Sequence, residues 1–200
     1  MAESKVFSAL KTTTINNMVL DAGVIVYDVN SSEIEALNNV SAIQKLITSK
    51  GLGATKGGAS FTAVPEMRNL FDGIDGARGA YKDATVIDSW ETTLKTTVSE
   101  FTAKNIERAA NATSVKANSY DGITPEVGMI ASEKFKNIAW IGPQAGKEKP
   151  MAILLENALN INGINVVAED KNTGSIELEF KAHFTLANPE QVPFVIYAPK

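Results

Sequence analysis

Two long stretches of this sequence alternate between apolar and polar residues with a period of two, and they restrict the fold more than any other feature. The first runs from Val86 to Val98 and the second from Ile176 to Leu186. Successive side chains of a β-strand point to opposite faces of its sheet, so this pattern predicts strands with one buried face and one wet face. The sequence therefore predicts a mainly β protein.

The polar face of each predicted strand is long and uninterrupted. In the first strand the odd positions carry Ser89, Glu91, Thr93, Lys95 and Thr97. In the second strand they carry Glu177, Glu179, Lys181 and His183, while Ile176, Leu178, Phe180, Ala182, Phe184 and Leu186 point inward. Such extended polar faces exceed what a small sandwich needs for its own stability.

Shorter apolar and β-branched runs predict further strands. They cover residues 17–28, 61–70, 135–142, 151–159, 164–168 and 193–197. Pro65 lacks a backbone donor, so the strand that contains it is expected at a sheet edge or at a bulge. Asn162-Gly163 is a turn signal between two of these strands.

Two helices are predicted beside the strands. Ser32 and Glu35 form a capping-box pattern, apolar residues then recur at helical spacing, and Gly51 follows, so residues 33–48 are predicted as one amphipathic helix. Thr102 is the expected N-cap of a shorter helix that extends to about Ala112. Strands in this number, with one or two flanking helices, predict a β-sandwich or barrel.

The length of 200 residues favours a single domain with some additions. We expect an N-terminal arm over about residues 1–16, a helical insertion over about 31–50, and extended glycine-rich loops at 51–60 and 72–83. No apolar run approaches the ~20 residues of a membrane span, so no membrane insertion is expected.

The composition disfavours several kinds of functional site. The absence of cysteine excludes disulfides, thiolate catalysis and zinc–thiolate centres. The formal net charge of −4, with its basic residues scattered singly, disfavours a protein that grips nucleic acid. The single histidine cannot build a multi-histidine metal site.

Motif searches find no catalytic centre. The glycine-rich loop fails the P-loop pattern because Lys56 precedes Gly57 and Gly58 instead of following the last glycine. The D-G-I-D-G run at Asp72 and Asp75 lacks the glycine and glutamate positions of a calcium loop. We therefore expect no catalytic, metal or cofactor-binding residues, no cofactor, and no enzymatic activity.

Several motifs occur together in an order that is typical of one family. The run LGATKGGASFTAVPEMRNLFDGIDGARG spans residues 52–79, an acidic-Ser-Trp-Glu centre follows at 88–91, and Glu100 to Thr102 leads into the second helix. The C-terminal third continues with IAWIG, LENALNINGINV, EFKAHF and PFVIY. In this pattern the sequence resembles the major tail tube proteins of tailed bacteriophages, of the siphophage type. Residues 31–50 depart from it.

The resemblance implies an architecture and a set of partners. It implies a β-sandwich with a flanking helix, six copies in a ring that encloses an inner β-barrel, and rings stacked into a hollow tube. Double-stranded DNA would pass through this tube without specific binding. The implied partners are further copies of the chain and the tape-measure, terminator and distal tail proteins. The implied location is the virion tail, assembled in the host bacterial cytoplasm.

Simple geometry agrees with such a tube. Four tilted strands from each of six copies give about 24 strands at ~4.8 Å spacing, hence a circumference near ~160 Å and a diameter near ~50 Å at a ~45° tilt. One of the two polar faces would line this channel, since hydroxyl and acidic groups do not retain phosphate. Lys95 and Lys181 are exceptions, and we expect them to pair with Glu91 and Glu179, each with the glutamate of its own strand.

The two glycine-rich loops are the predicted contacts between stacked rings. Their candidate residues are Gly53, Lys56, Gly57, Gly58, Asp72, Asp75 and Arg78. A loop that becomes ordered only on assembly would delay polymerisation until a nucleating end is present.

Two other functions remain open at this point. The chain would also fit a related ring protein of a tail or secretion system, of the distal tail or terminator type, which forms isolated rings rather than long tubes. A ligand-binding β-sandwich would instead be a monomer with an aromatic-lined groove, and only 7% of the residues here are aromatic.

Overall fold

The computed structural model describes residues 9–11, 13–168 and 170–200. The expected N-terminal arm therefore lies partly outside the described residues, and its described part contains a 3-10 helix at Thr14–Asn17. The described residues form ten strands: β1 Val24–Tyr27, β2 Thr55–Asn69, β3 Thr85–Val98, β4 Thr113–Lys116, β5 Asp121–Thr124, β6 Lys136–Gly142, β7 Met151–Asn160, β8 Val166–Val167, β9 Ser175–Lys181 and β10 Phe194–Tyr197. They also form three α-helices: α1 Ser31–Glu35, α2 Val40–Lys50 and α3 Ala103–Ala110.

Eight of these strands belong to one antiparallel sheet that β7 divides into two halves. Strands β1, β6, β7 and β10 form the first half, which we call the helix-covered sheet. Strands β8, β9, β3 and β2 form the second half, which we call the open-faced sheet. The last two residues of β7 pair with β9 and join the halves. The protein is thus mainly β, as predicted.

The main core lies between the two halves of the sheet. Buried side chains from both halves meet there: Ile25, Ile138 and Leu155 from the helix-covered sheet, and Leu94, Leu178 and Phe180 from the open-faced sheet. On one side Phe194 of β10 contacts Phe61 and Trp90, with ring centroids 5.7 Å and 5.8 Å apart. Burial of this apolar surface holds the halves together, and the arrangement is consistent with a β-sandwich.

The outer face of the helix-covered sheet is buried under α1 and α2. Val26 and Leu154 of this sheet pack in one cluster with Ile34 of α1 and Leu46 of α2. A strand buried on both faces reads as apolar at every position, and this is the pattern that predicted a strand over residues 17–28. The strand itself is shorter than predicted and is limited to β1.

The prediction of one helix over residues 33–48 is wrong, because residues 36–39 interrupt it. Asn39 starts a second helix: its side-chain oxygen accepts a hydrogen bond from the Ala42 amide at 2.8 Å. Asparagine is among the strongest N-cap residues. The helical periodicity was therefore real, but a local cap divides it into α1 and α2.

The predicted capping box is also displaced by two residues. Asn30, not Ser32, is the N-cap of α1, and Glu33, not Glu35, accepts the reciprocal hydrogen bond from the Asn30 amide. The Glu33 carboxylate also binds Lys50 Nζ at 2.7 Å. This ion pair ties the start of α1 to the end of α2.

The strand predictions hold best in β2 and β3. The even positions of β3 from Thr92 to Val98 are buried, and the alternation of the sequence is confirmed there. Pro65 lies on β2, the last strand of the open-faced sheet, next to a register shift after Glu66, so both expectations for it are confirmed. The predicted loop over residues 51–60 is wrong in its second half, since β2 already begins at Thr55.

Three further strands differ from the prediction. Strand β9 ends at Lys181, and both Phe184 and Leu186 are exposed instead of pointing inward. Strand β8 pairs with β9, so the turn at Asn162-Gly163 does not join β7 and β8 into a hairpin. The β4–β5 hairpin was not predicted at all. The cap of α3 is confirmed, since the Thr102 hydroxyl accepts from the Asn105 amide at 3.2 Å.

Candidate assembly surfaces

The two polar faces predicted from the sequence lie side by side on one surface of the open-faced sheet. Strand β3 pairs with β9 so that Thr93 is opposite Lys181 and Lys95 is opposite Glu179. Strand β2 extends the surface, and the Ser89 hydroxyl donates to the Glu66 carboxylate at 2.8 Å. We call this surface the polar face. It comprises Lys56, Ser60, Thr62, Val64, Glu66, Ser89, Glu91, Thr93, Lys95, Thr97, Glu177, Glu179 and Lys181.

Two ion pairs across the strands neutralise Lys95 and Lys181 of the polar face. Lys95 Nζ lies 3.0 Å from a Glu179 carboxylate oxygen, and Lys181 Nζ lies 2.7 Å from one of Glu91. The predicted pairing within each strand is therefore wrong. Facing residues on neighbouring strands lie at ~5 Å and diagonal ones at ~7 Å, whereas Glu91 and Lys95, four positions apart on one strand, are ~13 Å apart. Glu179 and Lys181 are only two positions apart, but Glu179 faces Lys95 directly. The hydrogen bond from Lys181 lowers the pKa of Glu91.

The polar face carries more negative than positive charge. Its four carboxylates belong to Glu66, Glu91, Glu177 and Glu179, and its three ammonium groups to Lys56, Lys95 and Lys181, so the formal charge is 3 − 4 = −1. The remaining polar groups are hydroxyls of serine and threonine. A surface of this kind offers no cluster of free cations to phosphate.

His183 does not belong to the polar face, in contrast to the prediction. It follows the end of β9, where its amide donates to the Glu156 carbonyl at 3.4 Å. Its ring packs edge-on against Phe135, with centroids 5.1 Å apart, and Nδ1 lies 3.1 Å from the Asn157 carbonyl oxygen. The histidine is a packing residue between the end of β9 and the strand β7.

The β2–β3 hairpin continues far beyond the rest of the open-faced sheet. The last backbone contact from the β9 segment joins the Ala182 amide to the Thr92 carbonyl, and beyond it β2 and β3 pair with each other alone within the described part of the chain. We call residues 64–91 the overhang, and residues 70–84, which connect its strands, the overhang tip. Arg68 and Asp88 form an ion pair across the overhang at 2.7 Å.

The overhang exposes many large apolar side chains. They are Val64, Met67 and Ile87 on its strands, and Leu70, Phe71, Ile74 and Tyr81 in the tip. The Phe71 and Tyr81 rings contact each other edge to face at 5.6 Å. A two-stranded hairpin on its own is marginally stable in water, so this segment is a surface that a partner would stabilise.

The candidate residues of the two glycine-rich loops fall in three different environments. Gly53 is packed against the Glu100 carboxylate, which also accepts from the Ala54 amide at 2.7 Å. Lys56, Gly57 and Gly58 belong to β2, where the register shifts. Asp72, Asp75 and Arg78 lie in the overhang tip, so they alone match the expected exposed loop.

A second exposed hairpin was missed by the sequence analysis. Strands β4 and β5 pair with each other, and residues 113–131 together form what we call the flap. Its base is tied to α3 by the hydrogen bond from the Ser114 amide to the Glu107 carboxylate at 3.0 Å, and to Lys134 through the Thr113 hydroxyl. The apolar residues between Val115 and Ile130 were the available sequence signal for these strands. Turn-forming residues interrupt them, so they show no two-residue alternation.

The described residues contain no group of three or more histidine or acidic side chains arranged to hold a metal ion. Within the same part of the chain, no helix has the length and apolar character that crossing a membrane requires. A scan against protein-family models found no match to this sequence, and a search of curated proteins found none either.

Proposed function

We propose that this chain is a self-assembling structural protein, whose copies form rings of six that stack into a hollow tube conducting double-stranded DNA. This is the role implied by its resemblance to the major tail tube proteins of tailed bacteriophages. The observation that carries the proposal is the open-faced sheet: one side is buried, the other is a continuous polar face, and β2 is its outermost strand among the described residues.

The number of strands supports the proposal. The open-faced sheet has four strands, β8, β9, β3 and β2, and four strands per copy were the premise of the ~50 Å barrel calculated for six copies. A barrel made of successive copies would place the buried side against the helix-covered sheet and the polar face toward the channel.

The outer edge of β2 supports association of copies. An exposed strand edge is a ready template for pairing with another chain, and closed barrels remove such edges altogether. Pro65 blocks one donor in this edge, but ten residues of β2 precede it. A ring in which each copy covers the β2 edge of the next leaves no edge exposed.

The chemistry of the polar face supports passage of DNA rather than capture. Lys95 and Lys181 are engaged by carboxylates, Lys56 donates to the Asn172 side-chain oxygen at 3.2 Å, and the net charge is negative, so this surface offers phosphates no cluster of free cations. In this proposal the tube belongs to a virion tail assembled in the bacterial cytoplasm. Its ends and interior meet the terminator, distal tail and tape-measure proteins.

Negative-stain electron microscopy of the purified protein, with light scattering over a range of concentrations, tests the proposal. Hollow tubes with a constant diameter are the expected result. Isolated rings that never stack would favour the distal tail or terminator type of protein. A particle that remains monomeric at every concentration, also with tube fragments added as nuclei, would refute self-assembly.

A further inference from the structure

We propose that neighbouring copies in a ring are joined head to tail, with the overhang tip of one copy packed against the flap of the next. This inference rests on the proposed function, because it specifies the contact by which the copies assemble. The occupant of both surfaces is a second copy of this chain.

The flap has the composition of a protein interface rather than of a free surface. Val127 and Met129 have relative exposures of 105% and 100%, and Val115 and Tyr120 are also largely exposed. Among its nineteen residues only Lys116, Asp121 and Glu126 are charged. Interface centres are depleted in charge and enriched in aromatic residues and methionine.

The overhang tip is a second exposed apolar surface. Leu70, Phe71, Ile74 and Tyr81 are all about half exposed or slightly more. Its two aromatic rings, Phe71 and Tyr81, contact each other within the tip itself. Contiguous exposed apolar patches on a protein mark sites of interaction.

The two surfaces lie on opposite sides of the open-faced sheet. The overhang is built by β2 and β3. The flap is held by α3, which lies beside β7 and β9: the Asn160 side chain donates to the Ala109 carbonyl at 2.7 Å, and the Asn111 side chain donates to the Asn160 carbonyl at 2.6 Å. In the strand order β7-β9-β3-β2 the overhang therefore belongs to the β2 side, where it continues past the end of β9, and the flap is anchored on the β7 side. One copy can therefore offer its overhang to one neighbour and its flap to the other.

The combined area fits a specific contact. Eight exposed apolar side chains, four on each surface, remove roughly 800 Å² of apolar area from water at ~100 Å² each, and the surrounding polar atoms add to this. A specific interface needs about 1,000 Å² in total. Either surface alone, packed against a flat polar neighbour, would cover half of that apolar area.

A contact between two different surfaces has a consequence for assembly. Such heterologous contacts repeat from copy to copy and give a ring where the rotation between copies closes, whereas a contact of one surface with itself stops at a dimer. The overhang–flap contact is therefore of the type that a ring of six requires. It also predicts that a copy with a defective tip and a copy with a defective flap can still form one contact with each other.

The experiment uses two full-length variants with charges placed on fully or largely exposed positions. The tip variant carries Leu70→Asp and Ile74→Asp, and the flap variant carries Val127→Asp and Met129→Asp. A control variant carries Val40→Asp, which adds a charge at another exposed valine, on α2. Circular dichroism and thermal melting check that each variant folds like the wild type.

Light scattering then measures the mass of each variant and of their equimolar mixture. We expect each variant alone to remain monomeric and the mixture to form one-to-one dimers, through the intact tip of one variant and the intact flap of the other. The control should assemble like the wild type. If the wild type assembles but the mixture stays monomeric, or if either variant still forms rings, the head-to-tail contact is refuted while self-assembly stands. If the wild type itself never assembles, both proposals fail.

Discussion

Gly53 occupies a position that favours glycine for two reasons. Its φ of +94° lies in the left-handed region, and a Cβ there would be 2.5 Å from the Glu100 carboxylate. We expect Gly53→Ala to destabilise the fold by about 2 kcal/mol, of which ~1 kcal/mol is backbone strain and the rest is displacement of Glu100 from the Ala54 amide. Thermal or urea unfolding measures this loss.

Gly57→Ala is the matched control for this change. Gly57 also has a positive φ, +79°, but a Cβ added there would meet no described atom within 4 Å. The free energy of unfolding of the Gly57→Ala variant should fall only by the cost of backbone strain, about 1 kcal/mol. Equal losses in the two variants would mean that the Glu100 contact does not stabilise residues 51–54.

Thr92 and Thr96 form a pair in which one hydroxyl is satisfied and the other is not. Both side chains are buried in β3, but Thr96 donates a hydrogen bond to the Gly58 carbonyl at 3.1 Å, whereas the Thr92 hydroxyl has no partner among the described residues. We expect Thr92→Val to stabilise the protein by up to about 1 kcal/mol and Thr96→Val to destabilise it by a similar amount. Denaturant unfolding of both variants measures these changes in the free energy of unfolding. A loss of stability in both variants would indicate that the Thr92 hydroxyl has a hydrogen-bond partner outside the described residues.

At the scale of whole elements, β3 shows why alternation predicts a strand and β9 shows its limit. The sequence of β9 continues to alternate as far as Leu186, but the strand stops at Lys181. The next amide, of Ala182, still bonds to β3, while that of His183 turns to the Glu156 carbonyl in β7. Side-chain period tells which face a residue prefers, but not where the neighbouring strand ends.

Helix boundaries depended on signals of similar strength that competed with one another. Asn30 and Ser32 are both good N-caps, as is Asn39 within the predicted helix. The apolar period of three to four residues runs through all of them and cannot decide which cap is used. The choice follows from tertiary packing, since Lys50 also bonds to the Asp28 carbonyl at 2.6 Å, beside α1.

The Glu33–Lys50 ion pair predicts a dependence of stability on pH. Hydrogen bonds from Lys50 and the Asn30 amide lower the pKa of Glu33 below its usual 4.5. A depressed folded pKa contributes stability above pH 4.5, and this contribution is lost as the pH falls through the folded value. Glu33→Gln should therefore cost less than about 1 kcal/mol at pH 7, since the pair is partly exposed.

Melting temperatures of the wild type and Glu33→Gln from about pH 2 to about pH 7 measure this dependence. The two curves should converge toward the acid end, where Glu33 is protonated. Glu35→Gln is the control, because it removes a carboxylate from the same helix outside the ion pair. A gap of constant size across the range would show that the charge of Glu33 contributes nothing.

At the scale of the whole molecule, strand order was beyond the sequence. The rows of polar residues on β3 and β9 were visible, but nothing in them indicated that these strands are neighbours. The cross-strand ion pairs of Lys95 and Lys181 follow from that order alone. The flap was missed for a related reason. Apolar residues recur at a regular spacing where one face of a strand or helix is buried, and the apolar residues of the flap are exposed instead.

The balance of charge on the polar face yields a prediction for DNA binding. Glu91→Gln with Glu179→Gln leaves Lys181 and Lys95 without these carboxylate partners and changes the formal charge of the face from −1 to +1. Two freed cations become available to phosphates, and each phosphate contact adds about 0.9 to the slope of affinity against salt concentration on logarithmic scales. We expect the double variant to bind duplex DNA more tightly than the wild type, with a slope steeper by up to about 2.

Fluorescence anisotropy with a labelled duplex, at several salt concentrations, measures both quantities. Asp72→Asn with Asp88→Asn is the matched control, since it changes the net charge by the same amount but outside the polar face, where it frees Arg68. If only total charge mattered, the two double variants would bind DNA equally. A selective gain for the first would show that Glu91 and Glu179 keep the lysines of the polar face from holding DNA, which a conducting channel requires.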